Sequence, residues 1–324
     1  MDAYLINIDI APEYTTILIV LVAWICERLI PTPNSASPLT FWRLLCARMR
    51  DKVVSSNDAK RQHTISGVLG FFVLLSPFLA IIYTIYFLAD VQALLDLLIL
   101  YVCLEYSQLK VNALRVKKAL ANEKKQLARD ILQSQIFRQT RRLSPIGITK
   151  ALIECMTLRF IYQQCCVIIL YCIGGIILAL IYRLAYEAHQ TWNIKVQRSR
   201  YFGYFSYLLT QVLQFIPVKI TNILLVIAAG KAFSYRKLPT FLFSPINWQA
   251  SGYPTFHALS IALNVHVGGT VMREGIKYKR DKCYGKHEPK LSDIQRTLNL
   301  LDRTLIILFC IILLVIWSIV QAQT

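Results

Sequence analysis

Residues 160–182 read FIYQQCCVIILYCIGGIILALIY. No charged residue interrupts this run. It is longer than the roughly 20 predominantly apolar residues that carry an α-helix across a hydrocarbon core about 30 Å thick. Inside lipid every backbone N–H and C=O needs an internal partner, so such a segment is expected to be helical. Working outward, Tyr14–Ile30, Val68–Ala89, Leu94–Leu109, Tyr204–Gly230 and Leu305–Val320 are further candidate spans. Leu94–Leu109 contains Asp96 and Glu105, and Tyr204–Gly230 carries Gln211, Gln214, Pro217 and Lys219. Phe256–Val267 is apolar but too short to span, so it is expected to be buried or interfacial. The expected fold is all-α: a polytopic integral membrane protein with about six transmembrane helices and basic cytoplasmic helical segments. Residues 1–324 form a single membrane domain in this reading.

Composition supports that class. The chain has 324 residues, 56% of them hydrophobic, and only 17% charged, with mean hydropathy +0.47. Disorder needs low hydrophobicity and is excluded. Nine scattered cysteines in a chain of this length exclude a small disulfide-stapled module. The net charge of +18, from 36 Lys+Arg against 18 Asp+Glu, is that of a basic-sided membrane protein, since a nucleic-acid binder would not be this apolar. With both termini outside, six spans put 31 of the 36 basic residues on the cytoplasmic side, as the positive-inside rule asks. The four in Arg183–Arg200, together with Lys219, do not fit that arrangement. No basic leader with a small-residue cleavage site precedes the first span, so that span is expected to be retained.

Two polar segments stand out. Residues 110–159 form a basic cytoplasmic amphipathic segment. From Leu109 onward, Ala113, Val116, Leu120, Leu127, Ile131 and Leu132 recur at roughly helical spacing, and one helix continuing from the third span through residue 142 is expected. Its basic face suits anionic lipid headgroups, or a phosphate or carboxylate site built from its arginines. Ser144-Pro145 interrupts it before a helix resumes over Ile148–Met156. Residues 231–303 form a second basic cytoplasmic segment, broken by turn residues in Phe243–Pro254 and by Gly268-Gly269 and Gly275. Asp293–Arg303 opens a helix leading into the last span. Phosphate-loop, dinucleotide, zinc-protease and serine-elbow motifs are absent. No cysteine pair has C-x-x-C spacing, and the cysteines within the spans are expected to be small buried hydrophobes. Glu27, Asp96 and Glu105 lie in or beside spans, where carboxylates are costly and default to functional candidates.

A resemblance enters through scattered fragments. Ala119-Leu120 with Ala128-Arg129 is similar to A-L-x-x-G-D-L-x-x-A-R. Phe137-Arg138-Gln139-Thr140 with Leu143, Ile148, Ala151 and Glu154 is similar to G-R-D-T-x-x-L-x-x-x-x-I-x-x-A-x-x-E. Phe215–Ile220, followed by Ile227–Gly230, resembles Y-L-P-A-R-L and its sequel. Ser244-Pro245 and Gly252-Tyr253-Pro254 resemble a split S-P-N-A-G-W-P. Ala262-Leu263 with Gly268-Gly269, Tyr284-Gly285, and Asp293–Leu300 complete the series. In order and spacing, over roughly residues 110–305, these resemble the cobalamin-biosynthesis CbiB/CobD family, the adenosylcobinamide-phosphate synthases. Leu158-Arg159-Phe160, Val212–Lys219 and Cys26–Leu29 resemble its AmpE-like branch, associated with β-lactamase induction.

The resemblance implies a multi-pass protein of the bacterial inner membrane. It implies a ligase-like activity joining an aminopropanol phosphate to a corrinoid carboxylate through an amide. ATP and a divalent cation are implied where that catalysis is retained. The implied partners are the lipid bilayer, a corrinoid or other anionic ligand, and a membrane protein partner, with no nucleic acid. Carried over residue by residue, Glu154 is the catalytic candidate. Arg129, Arg138, Thr140, Lys219, Ser244, Pro245, Gly268, Gly269 and Arg296 are the anion- or substrate-binding candidates, and no metal ligand is assigned. Several family Asp, Glu and Asn positions are replaced: by Gln139, by Leu158-Arg159, by Tyr162, near Tyr186 and His189, and by Thr210-Gln211. An alternative reading is therefore a noncatalytic AmpE-like regulator of envelope signalling.

Overall fold

The computed structural model describes residues 12–31, 37–54, 59–230, 252–273 and 275–323. The fold is helical. α1 (Pro12–Leu29) is followed by the amphipathic α2 (Pro38–Val53). Leu39, Trp42 and Cys46 form the buried stripe of α2, at the i, i+3, i+7 spacing of one helix face. α3 (Lys60–Leu88) is 29 residues long and, beyond its polar first turn, apolar on all sides. Leu69, Phe72, Val73, Ile81 and Phe87 are exposed along it, as lipid-facing side chains would be. α4 (Gln92–Cys103) is followed by α5 (Ser107–Ala121) and α6 (Lys125–Gln133).

Two departures from the expected pattern arise here. The expected span Leu94–Leu109 is broken at Leu104, so α4 has 12 residues and covers only about 18 Å, short of a bilayer core. The break is held by Glu27, whose carboxylate accepts from Tyr106 N at 2.9 Å, Ser107 N at 2.5 Å and Ser107 Oγ at 2.7 Å. A carboxylate on the free N–H groups of a helix start is favourable by hydrogen bonding and by the helix dipole. Glu27 thus caps α5. The expected continuous helix through residues 110–142 is likewise two helices, because Glu123 adopts φ 57° between α5 and α6.

The segment that decided the fold class does not cross in one piece. α7 (Pro145–Arg159), N-capped by Ser144 Oγ accepting from Gly147 N at 3.1 Å, runs through a π-helical turn, Phe160–Cys165, into α8 (Cys166–Thr191). α8 folds back within itself at Gly174 (φ −139°, ψ 21°) and Gly175 (φ 67°, ψ −168°). The second of these is a backbone region essentially reserved for glycine. Tyr182 Oη donates to Tyr162 O at 2.9 Å; in a straight helix those residues would stand about 30 Å apart. Phe160–Tyr182 is therefore a hairpin, not a single span. Its two limbs return Arg183–Arg200 to the face that holds Arg138 and Arg159.

α9 (Tyr204–Ala228) follows a short 3-10 turn, Gln197–Ser199. The α3–α9 corner is tight: a Cβ on Gly67 would lie 2.0 Å from Phe202 O. α10 (Tyr253–Leu263) is the short apolar segment and is largely buried. Beyond it, part of the second basic segment is not helical. β1 (Val267–Gly268) pairs antiparallel with β4 (Lys282–Cys283), and β2 (Val271–Arg273) with β3 (Ile276–Tyr278). α11 (Leu291–Gln323) contains the expected Asp293–Arg303 helix and the last span in one rod. Among the described residues four stretches are long and apolar enough to cross a membrane: Lys60–Leu88, Pro145–Thr191, Tyr204–Ala228 and Leu291–Ala322. The second of these is the hairpin, and α1 reaches 18 residues while carrying Glu13, Glu27 and Arg28.

Candidate functional site

Where the hairpin limbs, α2, α9 and the β-ribbons converge, they enclose a cavity of about 710 Å³. α7 carries Glu154 into its wall. Glu154 Oε1 accepts from Gly268 N at 2.8 Å. Its Oε2 meets Arg280 Nη2 at 3.1 Å and Arg138 Nη1 at 3.3 Å. The Gly268 N–H reaches Glu154 because Gly268 holds φ 78°, and a Cβ there would strike Asp281 O at 2.4 Å. Arg280 is further fixed by Nε donating to Gly269 O at 3.0 Å, and its guanidinium lies 5.4 Å from the Phe256 ring centre.

A second charged cluster lines the same cavity. Arg43 of α2 binds Glu105 through Nη2, and Glu187 through Nε at 2.6 Å. Arg183, fully buried behind them, reaches Glu105 at 2.9 Å and Glu187 at 2.8 Å. Two guanidinium groups and two carboxylates thus form a closed ring. Such a ring offsets its own desolvation only while complete; removing one member of a buried pair costs about 3–5 kcal/mol. α2 is fastened over it by Trp42 Nε1 donating to Leu184 O at 3.0 Å and by Trp192 Nε1 donating to Cys46 O at 2.7 Å.

Arg159 donates to Gln135 Oε1 at 3.1 Å and Gln135 O at 2.9 Å. Arg50, whose Nη1 donates to Thr191 O at 3.1 Å, Lys195 and Arg273 complete the basic lining. In all, seven basic side chains line the cavity against three carboxylates, so its field favours an anion. Burial, together with the nearby Arg273 and Arg280, pushes the Lys195 ammonium down to about 8. Burial also lowers Arg138, with Glu154 opposing, and lowers Arg273, where Arg280 adds to the effect. Arg273 Nε is buried with no hydrogen-bond partner among the described residues.

The sequence-derived candidates separate into groups. Glu154, Arg138, Gly268 and Gly269 come together as described. Arg129 and Thr140 form a bracket outside the lining: Arg129 donates to Leu143 O at 2.9 and 3.1 Å, and Thr140 Oγ1 donates to Gln133 Oε1 at 2.9 Å. Lys219 lies 4.4 Å from the Phe215 ring centre on α9. Arg296 pairs with Asp293 at 2.7 Å at the start of α11. Ser244 and Pro245 lie outside the described residues. Of the membrane acids, Asp96 accepts from Tyr86 Oη at 3.2 Å and Tyr171 Oη at 3.3 Å.

Arg43, Lys195, Arg273 and Arg280 were not singled out in the sequence, where nothing distinguishes them among 36 basic residues. A different signal was present. Arg159, Tyr162, Tyr186, His189 and Gln211, at or near positions where the resemblance places acids or Asn, all line this one cavity.

The CobD/Cbib protein family model matches residues 20–301. This chain belongs to the CobD/CbiB family. It is 25% identical over 285 residues to the cobalamin biosynthesis protein CobD of Chromobacterium violaceum, covering 87% of this chain and 91% of that one. The CobD of Clostridium perfringens is 27% identical over 213 residues, covering 63% of this chain and 66% of that protein. No solved structure matches the chain. As a CobD/CbiB-family membrane protein it has the expected helical, polytopic architecture.

The described residues do not fit a divalent cation. They contain no group of three His, Cys, Asp or Glu side chains placed to hold a metal. All three cavity carboxylates are engaged by guanidinium groups, whereas such ions are held by several free oxygen ligands.

Proposed function

We propose that this cavity is the substrate site of a cobalamin-assembly protein in the bacterial inner membrane. It holds the phosphorylated amino alcohol that is to be joined, through its amine, to a corrinoid carboxylate. The observation that carries the reading is the convergence of Arg138 and Arg280 on Glu154, within a lining that also contains Arg159, Lys195 and Arg273. Guanidinium groups bind phosphate oxygens with paired, charge-assisted hydrogen bonds. Glu154 acts here as a positioning residue. Both of its oxygens are occupied, and it aims two arginines rather than moving a proton. Arg129 and Thr140 brace the segment that carries Arg138, and the cavity faces the cytoplasm.

A second reading, a noncatalytic AmpE-like regulator on the same scaffold, is favoured by one observation: most of the acid replacements fall in the cavity itself. Complementation separates the two. In a strain lacking its own synthase, cobinamide-dependent growth restored by this chain and lost in Glu154→Ala supports the ligase. Absence of growth despite membrane expression removes it and leaves the binding protein.

A further inference from the structure

We propose that the cavity takes its phosphate-bearing ligand as a free anion, neutralised by the protein's own cations and not by a divalent metal ion. This rests on the reading of the cavity as a phosphate site and deepens it.

Three observations carry it. The first is charge: seven basic side chains face three carboxylates in one enclosure. The second is occupancy. Glu154 has Gly268 N on one oxygen and two arginines on the other, while Glu105 and Glu187 are closed into the ring with Arg43 and Arg183. A metal ion entering beside Glu154 would have to displace Arg138 and Arg280 and then stand among like charges, which costs rather than gains. The third is an uncompensated cation: Arg273 lines the cavity with no ion pair among the described residues. A phosphate neutralises such a guanidinium, and a metal ion would be repelled by it. Leu158-Arg159 sharpens the contrast, because it stands where the resemblance places Glu-Asn. A cation supplied by the chain thus replaces side chains that would recruit one from solution.

The test uses the full-length chain in detergent micelles and O-phosphoethanolamine, a soluble amino-alcohol phosphate, with binding measured calorimetrically in EDTA and again with excess magnesium. The expected result is binding in EDTA that magnesium does not strengthen. Arg273→Gln is expected to weaken it about tenfold, the effect of losing one charge-assisted contact. Arg273 has no ion pair among the described residues to lose, so this variant should fold even where Arg280→Gln does not. Binding seen only with magnesium overturns the metal-free site while leaving the phosphate reading intact. Binding in neither condition overturns both. Binding in EDTA that Arg273→Gln leaves unchanged shows that the lining cations do not neutralise the ligand and overturns the proposal.

Discussion

Lys195 shows what a single side chain gains from its surroundings. Its sequence neighbours, Ile194 and Val196, give no hint of a special role. Folding places it beside Arg273 and Arg280, and burial with their positive charge brings it down to about 8. Between that value and the ordinary lysine range the folded chain holds fewer protons than the unfolded one. Its unfavourable contribution to stability therefore eases as pH rises through this window. An anion in the cavity acts oppositely, favouring the ammonium. Affinity for O-phosphoethanolamine should accordingly fall as pH rises through about 8, with a flat profile in Lys195→Arg, whose charge persists. A titration with the same slope in both proteins would count against Lys195 as a ligand group. Glu154 was legible beforehand because its spacing from Arg138, Leu143, Ile148 and Ala151 matched a known pattern. Arg280, its partner across 126 positions, was not. Pairing over that distance is set by the fold alone.

At the scale of elements, apolar length and helix geometry gave different answers. α3, α9 and α11 follow their hydropathy closely. The hairpin does not, because hydropathy registers apolar content and is blind to a reversal made by two glycines. The Gly174-Gly175 turn also changes the charge placement. Arg183–Arg200, misplaced in a six-span reading, lies on the same face as Arg138 and Arg159. Cysteines introduced at Arg115 and Arg198, both exposed, should thus react with a membrane-impermeant maleimide from the same side of the membrane. Labelling from opposite sides would restore the single span and refute the hairpin. α5 teaches a related lesson. Its apolar periodicity was visible, but its start was not, since the cap comes from Glu27, about 80 residues earlier in the chain.

For the whole molecule, the outward faces of α3 and α11 are broad and apolar. Leu314, on the second half of α11, is 63% exposed in a stretch without charge. In water such a surface would drive aggregation; in lipid it costs nothing. Leu314→Arg is expected to oppose insertion by about 3 kcal/mol, read as a lower inserted fraction in a translocation assay. An unchanged fraction would mean that this face is not lipid-exposed. The sequence by itself determined the class: helical, polytopic, strongly basic overall, and poor in acids at named positions. Those are properties of composition and local periodicity, which every stretch of chain carries with it. Only the tertiary structure decided that the central apolar run turns back and that Glu105 and Glu187 close a ring with two arginines. It alone gathered most of the substituted positions into one basic cavity. Such outcomes depend on contacts between residues far apart in the chain, and a one-dimensional pattern holds no record of which distant side chains the turns will bring together.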